Sequence, residues 1–329
     1  LPPSRRHATV GATAVAVRTE ERRKPRPRRR TLTAAVAAAL YLLAACGSSS
    51  DPEATVPPVL TGDAPTQLTA VPTPTADFAT PRATPRPAMT APIEVPILMY
   101  HHVAPVAPDD EFEARLTVLT ADFDAQLAYL RCAGYTGITV AQLVDAMRGA
   151  ARLPQHPVIL TFDDGYGDAY TEAFPLLRRY GFVGSFAIVT GFVGQGDGAY
   201  VSWDELRQMA DAGMEILSHT VSHIDLGTSD DETDRREMAE SKAELEAHIG
   251  RPVRFFVYPS GEPFRSGTPE RQEQVVAMLK EAGYEGALLA GPNRLTQDPS
   301  APFALNRVRV VGGEGVDAFA GSIGGPACP

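Results

Sequence analysis

Between Val95 and Val311, short apolar runs alternate with stretches whose apolar residues recur at helical spacing. Val95–Tyr100 reads VPILMY, Pro157–Phe162 reads PVILTF and Gly184–Thr190 reads GSFAIVT, none with a charge. Runs of this length and composition predict strands buried on both faces. Further strands are predicted near Gly137–Val140 and at Glu215–Leu217, Arg254–Tyr258, Gly286–Ala290 and Asn306–Val311. In Ala121–Arg131 the residues Phe123, Leu127 and Leu130 share one helical face. Helices are likewise predicted over Ala141–Arg148, Asp168–Tyr180, Ser202–Ala212, Asp231–Ile249 and Pro269–Ala282. Strand then helix, repeated seven or eight times, predicts an α/β fold with a parallel sheet covered on both sides. The first expectation is a (β/α) barrel with seven or eight strands, complete or distorted. An open doubly wound sheet is the second, but no phosphate-cradling glycine fingerprint follows the first strand. In a barrel the chemistry sits at the C-terminal ends of strands, so the polar residues there are the ones to inspect.

The pattern breaks down ahead of residue 92. Seven of the nine residues Arg22–Arg30 are basic, and Ala34–Ala45 follows without a charge. That apolar run is too short to span a bilayer, which needs about 20 residues; the layout is that of a secretory signal. Leu43-Ala44-Ala45-Cys46 resembles a bacterial lipobox, which implies a lipid on Cys46 and a lipoprotein held at the outer face of the cell membrane. Residues 47–91 contain nine Pro, nine Thr and eight Ala, a composition that cannot bury enough apolar surface to order itself. The expected organisation is therefore a signal with an N-terminal extension over 1–46, a disordered tether over 47–91 and a folded domain, catalytic or binding, over 92–329.

Composition narrows the function. Of 329 residues, 44% are apolar and 21% charged, which excludes a wholly disordered chain and a polytopic membrane protein. Residues 1–30 carry a net charge of +8 and the remainder −18. A folded part so acidic is a poor nucleic-acid binder. Three cysteines do not make a stapled fold; Cys132 and Cys328 could pair or remain thiols.

Three strand ends carry candidate chemistry. PVILTF is followed by Asp163-Asp164-Gly165, where adjacent carboxylates face different sides and so suit different tasks. Read alone, this is also a common turn. After Glu215–Leu217 come His219 and His223, four apart, which meet on one side if the segment turns helically. Neutral imidazoles suit Zn, Ni, Co or Fe(II). Arg254–Tyr258 is followed by Pro259-Ser260-Gly261, a turn able to present a backbone N–H to a developing oxyanion.

TFDDG, then HTVSH, then YPSG at successive strand ends resemble the polysaccharide deacetylase family, that is, the NodB-homology domain of carbohydrate esterase family 4. The resemblance covers Val95 to Val311. It implies that Asp163 is the general base, that Asp164, His219 and His223 hold a divalent metal, most often zinc with Co or Ni as alternatives, and that the Ser260 N–H completes an oxyanion hole. It also implies a polysaccharide substrate from which N-acetyl groups are removed. The family's third motif usually carries an Arg that orients the base, and Val257 stands in its place here. The usual acid His of a late motif is absent. MYHHV at the first strand resembles the circularly permuted poly-N-acetylglucosamine deacetylase branch, which implies that His101 is the acid. Tyr258, Pro259, Trp203 and Arg307 are expected at the substrate, although Ser202-x-x-Glu205 also reads as a capping box and Arg307 could instead pair with a carboxylate. The competing readings are an O-acetyl esterase with the same site and a non-catalytic glycan-binding module. A 2-His-1-carboxylate oxygenase is disfavoured by the β/α alternation.

Overall fold

The computed structural model describes residues 87–326 and 328. The basic signal, Cys46 and nearly all of the tether lie outside the described residues. The main sheet has eight strands among the described residues, β1 (Ile97–Tyr100), β2 (Thr136–Gly137), β3 (Pro157–Phe162), β4 (Ser185–Ile188), β5 (Glu215–Ser218), β6 (Phe255–Val257), β7 (Gly286–Pro292) and β8 (Leu305–Arg309). Their spatial order is β1-β8-β7-β6-β5-β4-β3, and β3 pairs again with β1, so seven parallel strands close into a barrel. The closing register runs from Ile97 opposite Ile159 to Tyr100 opposite Phe162. The strand expected near Gly137 is only the stub β2, pairing Thr136 and Gly137 with the start of β3. It ends early because Thr139 and Gln142 form a reciprocal capping box that starts a helix at Val140,.

The helices are α1 (Glu111–Leu116), α2 (Thr120–Cys132), α3 (Val140–Met147), α4 (Phe174–Tyr180), α5 (Trp203–Asp211), α6 (Asp231–Ile249), α7 (Pro269–Glu281) and α8 (Val316–Ser322). Ahead of α4, residues Ala169–Ala173 form a wide turn in which the Phe174 N–H reaches Ala169. Pro175 has no N–H to continue a regular ladder, which suits the widened turn.

Alternation along the strands divides the core in two. Ile97, Ile159, Leu217, Val257 and Leu288 form one cluster with Leu143, Val144 and Met147 of α3. Leu98, Tyr100, Phe162 and Phe186 belong to the other, with Leu127 of α2, Leu177 of α4 and Met238 of α6. Half-buried Glu215 caps α3, accepting from the Val140 and Ala141 N–H groups at 2.8 and 2.9 Å and from Ser185 Oγ at 2.6 Å. Arg254 on the Val253–Phe255 approach to β6 donates to both Asp145 and Glu285. Cys132, at the end of α2, is joined to Cys328 by a disulfide with Cα atoms 5.6 Å apart. The Tyr129 hydroxyl donates to the Pro326 carbonyl beside it. Among the described residues no helix is long and apolar enough to cross a membrane.

Candidate active site

At the end of β3 the Asp163 N–H still bonds the Tyr100 carbonyl at 3.0 Å, in strand register. The next two residues, Asp164 and Gly165, have φ of 74° and 78°. This left-handed pair ends the strand and sends the two carboxylates apart. Gly165 suits it, since a side chain is strained at that φ and its Cβ would press on Ile188 at 3.3 Å,.

Asp163 is 4% exposed and accepts from both terminal nitrogens of Arg307, at 2.7 and 2.8 Å. The Arg307 guanidinium also donates to Thr161 Oγ1 at 3.1 Å and to the Leu289 carbonyl. Burial alone would raise the Asp163 pKa, but Arg307 outweighs it and holds the carboxyl below its ordinary range. Of the two roles open to Arg307, contact with substrate is excluded: its side chain is wholly buried. The guanidinium missing at Val257 thus arrives from β8.

The nearby Asp164, His219 and His223 each offer one atom, all within 4.8 Å of one another. Asp164 Oδ1 lies 3.3 Å from His219 Nε2 and 3.4 Å from His223 Nε2. It is buried and has no hydrogen-bond partner. Ligands about 2.0–2.1 Å from a tetrahedral zinc ion stand roughly 3.3 Å apart. An orphaned buried oxygen at ligand spacing from two imidazoles fits a divalent ion. His219 Nδ1–H donates to the Val257 carbonyl at 2.8 Å, leaving Nε2 as the ligand atom,. Burial opposes protonation of His219, yet Asp164 and Asp163 raise its pKa, while burial and His219 lower that of His223. Burial would raise Asp164, but the imidazoles hold it well below the carboxylate range.

The two histidines do not meet through a helical turn. Thr220 and His223 have φ of 67° and 58°, so the HTVSH segment is an irregular loop. Thr220 Oγ1 accepts from the His223 N–H at 2.9 Å. Glu237 on α6 grips the middle: it accepts from the Val221 and Ser222 N–H groups at 2.8 and 2.9 Å and from Ser222 Oγ at 2.7 Å. Nothing in the sequence singled out Glu237, which reads as one carboxylate among many on an acidic helix.

His101, Asp163, Asp164, His219, His223, Tyr258 and Ser260 all line one cavity of about 450 Å³. His101 has its pKa lowered by burial, against the opposing pull of Asp163 and Asp164. Its neighbour His102 donates from Nδ1 to Asp168 at 2.6 Å and stacks on Tyr166, centroids 3.6 Å apart. The Gly261 and Glu262 N–H groups bond Tyr258 and Pro259 carbonyls. Among the described residues the Ser260 N–H has no such backbone acceptor. Tyr258 belongs to the cavity lining, while its hydroxyl is committed to the Phe303 carbonyl at 3.0 Å. Pro259 and Trp203 do not line the cavity. Trp203 follows the Ser202–Glu205 capping box and stacks on His248, centroids 4.0 Å apart. Phe112, Arg115, Tyr166 and Arg309 also line the cavity and carry no motif that marks them in the sequence.

Residues 150–287 match the family model described as polysaccharide deacetylase. The protein YxkH of Bacillus subtilis (strain 168) is 27% identical over 228 residues, covering 69% of this chain and 75% of its own length. The poly-beta-1,6-N-acetyl-D-glucosamine N-deacetylase of Escherichia coli (strain K12) is 33% identical over 137 residues, 37% of this chain but only 20% of that protein. The structure of the Streptococcus pyogenes deacetylase PplD superposes with a TM-score of 0.63 at 24% identity, covering 71% of this chain and 99% of that one; it shares the fold. Over residues 150–287 the chain is thus similar to polysaccharide deacetylase domains of the NodB-homology type.

Proposed function

We propose that this chain is a divalent-metal-dependent hydrolase that removes N-acetyl groups from an extracellular polysaccharide containing N-acetylglucosamine. The observation that carries the reading is the Arg307-held Asp163 carboxylate beside Asp164, His219 and His223, with an orphaned oxygen at ligand spacing. A metal held there supplies a Lewis acid and a water of lowered pKa, zinc being the first choice and Co or Ni the alternatives. Asp163, kept ionised by Arg307, takes the proton from the attacking water. The Ser260 N–H donates to the tetrahedral oxyanion. His101 protonates the departing amine, which is too basic to leave as an anion; burial makes its imidazolium a readier donor.

The chain acts outside the cytoplasm in this reading, anchored to the membrane by a lipid on Cys46. The Cys132–Cys328 disulfide supports an oxidising compartment,. The relative acting on a β-1,6-linked polymer supports the same choice of substrate.

The test is acetate release by the full chain, stripped of metal and then supplied with Zn, Co or Ni. The probes are N-acetylglucosamine oligomers of β-1,6 and β-1,4 linkage and an aryl acetate, with Asp163→Asn as the control. Metal-dependent release lost in Asp163→Asn supports the reading. Cleavage of aryl acetates alone replaces it with an O-acetyl esterase, and glycan binding without any cleavage replaces it with a binding module.

A further inference from the structure

Residues 92–329 hold 18 Arg and Lys against 34 Asp and Glu. In so acidic a domain the lining of the metal cavity is unusual, because Arg115, Arg265 and Arg309 all belong to it. Arg265 has a partner, Glu262, at 3.1 Å. Among the described residues neither Arg115 nor Arg309 has an ion-pair partner or a side-chain hydrogen bond. Arg309 is half-buried, and after burial and the opposing pull of Asp163 the charges felt there are those of Arg307, Arg115 and Arg265. Asp163 is already committed to Arg307. The only other carboxylates on the lining are Asp164, assigned to the metal, and Glu113.

Guanidinium groups gathered around a cavity whose one uncommitted carboxylate, Glu113, pairs with neither Arg115 nor Arg309 are arranged for an anion that comes from outside,. The lining also contains Phe112, 68% exposed and one of three exposed large hydrophobic residues among the described residues. A flat apolar face at the cavity is suited to the face of a pyranose ring. Neutral acetamido sugars would use such a platform but leave the arginines unanswered.

We propose that the cleft is built for an anionic glycan: an acetamido sugar that rests on Phe112, with a neighbouring carboxylate or phosphodiester held by Arg115, Arg309 and Arg265. This rests on the deacetylase reading above and names its substrate class. Carboxylate and phosphodiester share the chemistry the arginines recognise, and the test separates them.

The metal-loaded full chain is given three probes: neutral N-acetylglucosamine oligomers, alternating N-acetylglucosamine–N-acetylmuramic acid oligosaccharides bearing a carboxylate, and N-acetylglucosamine oligosaccharides bearing a phosphodiester. The expected result is at least a tenfold higher kcat/KM for one anionic class, carried by KM. The gap should narrow between about 50 and about 500 mM salt, as screening of exposed charges requires. Arg115→Gln, at an exposed position, should cut the ratio of anionic to neutral kcat/KM several-fold, and adding Arg309→Gln should cut it further. Equal kcat/KM on neutral and anionic probes, a salt-independent ratio, or an unchanged ratio in Arg115→Gln would overturn the proposal. If no probe releases acetate, the deacetylase reading fails, and calorimetric binding to the Asp163→Asn chain decides the inference by itself. Tighter binding of an anionic oligomer upholds it, and equal affinities sink it.

Discussion

The carboxylate of Asp163 and the guanidinium of Arg307 face each other fork to fork, at 2.7 and 2.8 Å, with both side chains buried. They lie 144 positions apart and meet because β8 pairs with β1, which pairs with β3. The pair fixes the carboxylate in one orientation and keeps it ionised, which are the two properties a general base beside a metal requires.

Arg307→Lys keeps the charge and loses the planar fork, so kcat should fall by about tenfold or more. Arg307→Gln leaves a buried carboxylate without its counter-charge. It should lower kcat by about 10²–10⁴-fold and destabilise the domain by about 3–5 kcal/mol. Because Arg307 holds the Asp163 pKa down, its loss should also move the acid limb of kcat/KM to higher pH. Steady-state kinetics across pH and urea unfolding read both effects; an unmoved acid limb would show that the base is another group.

Glu237 touches no metal ligand side chain but holds the backbone between His219 and His223. Glu237→Ala should weaken metal affinity by about 10–100-fold, as loss of outer-shell support does elsewhere. Competition with a chelating dye measures this without reference to turnover. Affinity equal to that of the unaltered chain would remove Glu237 from the support of the site.

Glu285 has its pKa lowered from an ordinary 4.5 to about 2, first by its bond to Arg254. A depressed carboxyl contributes stability that is present above 4.5 and is lost as pH falls toward about 2,. The urea midpoint of the unaltered chain should therefore drop over that window, and that of Glu285→Gln should drop less. The side chain is 34% exposed, so solvent screening keeps the difference modest,. Parallel curves for the two proteins would show that the pair contributes nothing to acid stability.

The disulfide between Cys132 and Cys328 ties the chain after α8 to the end of α2. Cys132→Ser should destabilise the domain by about 2–5 kcal/mol and leave metal affinity unchanged, since the bridge is remote in sequence from every ligand. Thermal unfolding with and without reductant checks it: reductant should lower Tm in the unaltered chain and not in the variant.

The amino-acid sequence alone determined the strand and helix succession, because buried parallel strands and amphipathic helices have different apolar periods. It also marked Asp163, Asp164, His219 and His223, since each follows a recognisable strand, and the fold brings all four to one cavity. Closure of the barrel decided what periodicity cannot encode. The register of β8 against β1 supplied from Arg307 the guanidinium that Val257 lacks. The irregular path of Thr220 to His223, which helical spacing had suggested would be a turn, depends on a carboxylate from α6. Trp203 stacks on His248, and Cys132 found Cys328 across 196 residues. Local sequence sets the conformation of a segment and the face it buries; which side chains from distant segments share that buried space is set only when the strands pair and the ring closes.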